Sequence, residues 1–109
     1  MIADANIRKT PPGRSEVIAK LCQHEAELRG LGVQSLYLFG STARDQAHAD
    51  SDVDLFFDYT RGEFGLFELM DVRERVAAIL GRKVDVITRD SLHKSLRRQI
   101  ESEAVSVFS

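Results

Sequence analysis

Two aspartates separated by one residue, Asp52 and Asp54, open the apolar run Asp52–Phe57 (DVDLFF). In a strand, residues two apart share a face. The two carboxylates then stand side by side while Val53 and Leu55 point into a core. Adjacent carboxylates repel, and without a cation one of them tends to take up a proton. A bound Mg²⁺ removes that conflict, because it is a hard ion that commonly uses one or two carboxylates plus substrate phosphates. A polar strand edge facing water explains a bare Asp-x-Asp just as simply. Asp85 shifts the balance. It sits in Lys83–Ile87 (KVDVI), and an acid in an apolar strand must face solvent, a partner or a metal. If this strand lies beside the first, three carboxylates collect on one sheet face, which is the donor set of a two-metal phosphoryl-transfer site. Asp85 can then bridge metal and serve as base for an attacking hydroxyl. Asp58 shares the face of Asp54 but lies among Tyr59, Thr60 and Arg61, where a turn is expected. It ranks below Asp85.

Gly40-Ser41 is the third element. It ends the apolar run Val33–Phe39 (VQSLYLF) and opens a short helix. Backbone N–H groups at such a junction can cradle a phosphate, glycine permits close approach, and the Ser41 hydroxyl can donate. The plain alternative is a strand-to-helix turn with Ser41 as its cap. The dipeptide carries weight through its position, a short spacer ahead of Asp52 and Asp54.

These residues need elements to hold them. Ser15 is a candidate cap for a first helix whose apolar face is Val17, Ile18, Leu21, Cys22 and Leu28, closed by Gly30 and Gly32. Strands are expected at Val33–Phe39, Asp52–Phe57 and Lys83–Thr88, with a short helix over Thr42–Ala47. A longer helix over Phe64–Leu80 carries Phe67, Met70, Val76, Ala77 and Leu80 inward and stops at Gly81. Asp90 or Ser91 can cap a last helix reaching Glu103, and Val105–Phe108 adds a short strand. The two early strands lie too close in sequence for a doubly wound fold. The expectation is an α+β (mixed α/β) domain over 14–109, a small mixed sheet flanked by helices, behind a mobile segment over 1–13.

Composition sets the class. The chain has 109 residues, 43% of them hydrophobic and 29% charged, enough for one domain with a core. A formal net charge of −2 is not the footprint of a nucleic-acid-binding surface, so direct nucleic-acid binding is not indicated. One cysteine excludes an internal disulfide, and no apolar run is long enough to span a membrane. A cytoplasmic protein is expected. His24, His48 and His93 match no metal-ligand spacing. Cys22 reads as core. Arg73, Arg75 and Arg82 read as a solvated basic face, as do Arg97 and Arg98, with Lys83 close enough to the third acid to reach a phosphate.

The stretch Gly40-Ser41-Thr42-Ala43-Arg44, followed by Ser51-Asp52-Val53-Asp54-Leu55 and later Val84-Asp85-Val86-Ile87, closely resembles the signature of the DNA polymerase beta-like nucleotidyltransferases. It is most similar to the minimal nucleotidyltransferase (MNT) family, and the resemblance runs from about Ser15 onward. It implies a mixed sheet flanked by helices and a magnesium-dependent transfer of a nucleoside monophosphate, with ATP or another NTP as donor and two Mg²⁺ ions. By this resemblance Gly40 and Ser41 hold the triphosphate, and Arg44 matches a family arginine beside that loop. Asp52, Asp54 and Asp85 bind metal and complete the catalytic site. The family also implies a HEPN-type toxin as partner, whose tyrosine receives AMP, so that this chain acts as antitoxin. One departure stands out: Asp45 occupies a position where the family usually has glycine. If that residue needs φ > 0, aspartate tolerates it less well than glycine, and its charge can weaken triphosphate binding.

Three functional readings follow. The first is the enzyme, since in-line attack on an α-phosphate needs positioning and charge neutralisation more than covalent chemistry. The second is a catalytically weak binding module that neutralises its partner by complex formation, which Asp45 favours. The third is a stand-alone enzyme acting on a small hydroxyl compound. Exposed faces of the first and last helices are candidate surfaces for a homo- or hetero-oligomer.

Overall fold

A computed structural model describes residues 10–60, 62 and 64–109. The elements are α1 (Arg14–Cys22), α2 (Glu25–Gly30), β1 (Val33–Phe39), α3 (Gly40–Ala43), β2 (Val53–Tyr59), α4 (Leu66–Leu80), β3 (Val84–Thr88), α5 (Lys94–Glu103) and β4 (Val105–Phe108). The sheet order is β3-β2-β1-β4. β1 runs antiparallel to both β2 and β4, and β2 runs parallel to β3. This is the expected mixed sheet. Its single parallel pair is joined by a crossover containing α4, as a parallel connection requires.

Alternation along β2 separates the two faces of the sheet. Val53, Leu55 and Phe57 are fully buried in the main core with Leu36, Leu38 and Val86 from the neighbouring strands. Each such burial contributes roughly 1.5–3 kcal/mol, which fixes the register and so forces Asp54, Phe56 and Asp58 onto the other face. The main core is closed by Val17 and Leu21 of α1, Leu28 of α2, and Val72, Val76 and Leu80 of α4.

Several expected boundaries move. The first helix is two helices, broken at Gln23–His24, and Gly13 rather than Ser15 occupies its N-cap. Seven residues separate Leu21 from Leu28, so the apolar spacing survives the break and does not report it. α3 starts at Gly40 and ends at Ala43, short of the expected Ala47. β2 starts at Val53, one residue later than expected, and runs on to Tyr59. α4 starts at Leu66 and buries Val72, Val76 and Leu80. Phe67 and Met70, expected in the core, are 79% and 45% exposed. Two apolar phases compete along this helix, and the one with i, i+4, i+8 spacing wins the contact with the sheet. Gly81 ends α4 as expected, in the left-handed conformation at φ 66°. A 3-10 turn over Arg89–Ser91 replaces the expected cap at Asp90 or Ser91, and His93 caps α5 by accepting from the Ser95 N–H at 3.2 Å.

Cys22, expected in the core, is exposed, and its thiol meets the Val107 carbonyl at 3.0 Å. Of the basic residues expected on a solvated face, Arg73, Arg75 and Arg98 are exposed, and several of the group also have individual partners. Arg73 donates to the Val86 carbonyl, Arg75 pairs with Glu27, and Arg82 donates to the Thr10 carbonyl. Of the expected N-terminal segment, residues 1–9 lie outside the described residues. Among the described residues no helix is long and apolar enough to cross a membrane.

Candidate active site

The antiparallel pairing of β1 with β2 sets Phe39 opposite Asp54, and the parallel pairing of β2 with β3 sets Asp54 opposite Asp85. Asp54 and Asp85 are therefore neighbours on adjacent strands, facing away from the main core. Asp52 lies one residue before β2 and is exposed. The sequence expectation for Asp85 held only if these two strands were adjacent, and they are.

Asp54 is the centre of this group. Burial pushes its carboxyl up to about 6, with Asp85 and then Asp52 pushing the same way and Arg44 opposing. Among the described residues the carboxylates of Asp52, Asp54 and Asp85 accept no hydrogen bond and form no ion pair, and Arg44 acts on Asp54 only through its charge. Three acids brought together without partners form the donor chemistry a hard divalent cation satisfies. The described residues do not by themselves enclose a metal with three or more His, Cys, Asp or Glu ligands. Magnesium sites of this chemistry take much of their coordination from substrate phosphates and water, so the residues fit a cation that arrives with a nucleotide.

Gly40 completes the contact between the loop and the acids. Its φ is +76°, and a Cβ built on it would overlap the Asp54 carboxylate. Both the backbone conformation and the packing therefore require glycine. Ser41 follows in the first turn of α3 and is partly exposed, while Thr42 is fully buried with no hydrogen-bond partner for its hydroxyl. Nothing in the structure explains that unmade bond.

Arg44 follows α3. Its guanidinium pairs with Glu103 of α5 at 3.1 Å and contacts the Gln46 side chain at 3.3 Å. Asp45 adopts φ 59°, the left-handed conformation. The departure from glycine falls on a residue that does need positive φ, and aspartate adopts it. The Asp45 carboxylate accepts from the Arg14 N–H at 3.1 Å, at the start of α1, while the Arg14 side chain donates to the Ala43 carbonyl at 3.1 Å. The charge of Asp45 thus has a helix start to satisfy, and the two bonds tie the end of α3 to α1.

Asp58 has a different role. Arg89 grips its carboxylate with two bonds of 2.8 and 2.9 Å, and Ser35 donates at 2.8 Å. The Arg89 hydrogen bonds hold its carboxyl below the usual range, against the opposing effect of burial. Arg89 also pairs with Glu101 at 2.6 Å and lies 4.9 Å from the ring centres of both Tyr37 and Phe56. Arg89 and Glu103 were not anticipated. Their signal becomes readable only after the pairing of β2 with β3 puts Thr88 opposite Phe57, and after α5 is laid against α3.

Comparisons with known proteins identify the family and the fold. A family model described as a nucleotidyltransferase domain matches residues 17–107. Protein adenylyltransferase MntA of Thermococcus cleftensis is 33% identical over 93 residues, covering 84% of this chain and 93% of that protein. A solved structure provisionally described as a minimal nucleotidyltransferase superposes with a TM-score of 0.69 at 29% identity, covering 84% of this chain and 89% of that one. A chain in the solved complex of a tri-AMPylated Shewanella oneidensis HEPN toxin with an MNT antitoxin superposes with a TM-score of 0.61 at 18% identity. It covers 88% of this chain and 72% of that one, a likeness of fold.

Proposed function

This chain belongs to the nucleotidyltransferase domain family, and we propose that it transfers AMP from ATP to a tyrosine hydroxyl of a HEPN-type toxin, acting as its antitoxin. The observation that carries the site assignment is the Asp54 carboxylate, pushed up by burial and by Asp85 and Asp52, lying against Gly40, whose positive φ and close contact disfavour a side chain there. The protein-level assignment draws on the relative named as a protein adenylyltransferase and on the fold shared with a chain of the toxin–antitoxin complex.

In this reading Asp52, Asp54 and Asp85 hold divalent metal, with two Mg²⁺ as the expected complement. When bound, the metal neutralises phosphate charge and lowers the barrier to attack. Gly40 lets the Asp54 carboxylate lie against the loop that holds the triphosphate, the backbone and hydroxyl of Ser41 donate to phosphate oxygens, and Arg44 adds positive charge. The acceptor oxygen bonds to the α-phosphorus, the bond from that phosphorus to the bridging oxygen breaks, and pyrophosphate leaves. The acceptor proton passes to Asp85, which is exposed on the edge strand β3, where an incoming protein can reach it.

The test is to purify the chain with a co-expressed HEPN-type protein, supply ATP and Mg²⁺, and read intact masses. The proposal expects whole AMP additions on the partner that vanish when Tyr is replaced at the modified site. A partner that binds but never gains AMP, under conditions where ATP also binds, contradicts it.

A further inference from the structure

α3 is a single turn, Gly40–Ala43. One turn fixes many backbone angles for few hydrogen bonds, so a helix this short does not hold itself. Its carbonyls must find partners beyond its end. The Gly40 carbonyl accepts from the Arg44 N–H at 3.2 Å, the Thr42 carbonyl from the Asp45 N–H at 3.0 Å and the Ser41 carbonyl from the Gln46 N–H at 2.8 Å. The last two bonds are the nested pair of a Schellman turn, with Asp45 at its bend in the left-handed conformation. The turn therefore closes on Ser41, the residue that the proposed site uses to hold phosphate. The Ala43 carbonyl remains, and it accepts from the Arg14 guanidinium at 3.1 Å.

Glycine is the usual residue at such a bend, and a residue with a Cβ is strained there. Asp45 offsets that strain with a bond that glycine cannot make. The N-cap of α1 is Gly13, which has no side-chain acceptor for the N–H groups that follow it. The Asp45 carboxylate supplies one from outside the helix, accepting from the Arg14 N–H at 3.1 Å. α1 is in turn fixed in the main core by Val17 and Leu21. Arg14 thus holds the short turn twice, through its N–H at Asp45 and through its side chain at Ala43. Both bonds tie α3 to a longer helix that burial anchors.

We propose that Asp45 and Arg14 are positioning residues, which together hold the α3 turn, and through it Ser41, in the geometry that receives the triphosphate. This role rests on the proposed nucleoside triphosphate reading and deepens it. The bend is set before the nucleotide arrives, so binding does not have to order it. The carboxylate of Asp45 is committed to the start of α1, and the departure from glycine replaces backbone freedom with a tether.

The experiment compares ATP with inorganic tripolyphosphate, each with Mg²⁺, by calorimetry on the full chain, with urea unfolding of every variant alongside. Asp45→Gly keeps a residue at ease with the bend and removes only the carboxylate. Asp45→Asn keeps an acceptor and tolerates the same conformation. Arg14→Ala keeps the N–H and removes the bond to Ala43. Asp45→Gly and Arg14→Ala are each expected to weaken both ligands roughly three- to tenfold, the scale of one net hydrogen bond, while Asp45→Asn binds as the wild type does. Affinity unchanged in Asp45→Gly and Arg14→Ala, whatever their stability, overturns the positioning role, because a residue that only supports the fold moves the unfolding midpoint alone. Tighter binding in both Asp45→Gly and Asp45→Asn also overturns it, since the aspartate charge would then oppose the triphosphate. Both results leave the triphosphate site standing. If the wild-type chain binds neither ligand, the triphosphate reading itself fails and the positioning role fails with it.

Discussion

Asp54 and Asp58 lie on the same face of β2, four residues apart, in opposite surroundings. Asp58 is gripped by Arg89 and Ser35, and its carboxyl is held below the usual range. Asp54 has two acids for neighbours, no hydrogen bond among the described residues, and a carboxyl pushed up to about 6. One end of the strand resolves its charge within the protein. The other end leaves it unresolved, and the proposed site for a cation and its phosphates rests on that difference. A carboxyl perturbed by burial and by neighbouring acids is a functional-site candidate with a physical rationale.

The contrast can be broken at either end. The largest effect is expected from Asp54→Asn, which should cost transferase activity at least roughly 10²–10³-fold, the scale of losing a preorganised electrostatic contact. Nucleotide transfer measured by intact mass checks it. Activity surviving Asp54→Asn within a few fold would move the chemistry elsewhere. Arg89→Ala should leave the three site acids in place and instead destabilise the fold by about 2 kcal/mol, since it strips charged hydrogen bonds from Asp58 and Glu101. Urea unfolding reads that loss, and an unchanged midpoint would show that the pairing at the Asp58 end contributes nothing.

The same Asp54→Asn chain sharpens the comparison when metal is chelated. A folded-state pKa raised above 3.8 means that both states hold the proton well below pH 4 and that ionisation penalises the folded state above pH 6. Asparagine removes that penalty. The variant should be more stable than the wild type at pH 7.5 by about 1 kcal/mol, after allowing for solvent screening at a partly exposed carboxylate. The gain should fade as the pH falls from about 6 to about 4. Thermal melts in EDTA across that range check the sign. The smallest effect is expected at Thr42, whose buried hydroxyl has no partner. Thr42→Val should be neutral or stabilising by up to about 1 kcal/mol, and a clear loss of stability would show that the hydroxyl is satisfied in solution.

Much of this was legible in the residues. The apolar runs placed β1 and β4 at their observed bounds and β2 and β3 within two residues, because a buried strand leaves a short, uninterrupted signal. Asp52, Asp54 and Asp85 stood out because acids are misplaced in such runs. Helices were harder. The spacing of Leu21 and Leu28 hid the break at His24, and Phe67 and Met70 offered a false apolar phase that only the sheet beneath α4 rejects. Arg89 and Glu103 were illegible because each depends on which segments meet in space, and charge alone does not report its partner. Asp45 lay between these cases. Its need for positive φ was readable as a condition, and the bond to the Arg14 N–H that employs its carboxylate was not.

The most direct test of the central claim is calorimetric titration of ATP, with Mg²⁺ and with EDTA, into the wild type, Asp54→Asn and Asp58→Asn. The account predicts magnesium-dependent binding in the wild type, retention in Asp58→Asn and loss in Asp54→Asn. Equal binding in EDTA, or Asp54→Asn binding as the wild type does, would contradict it.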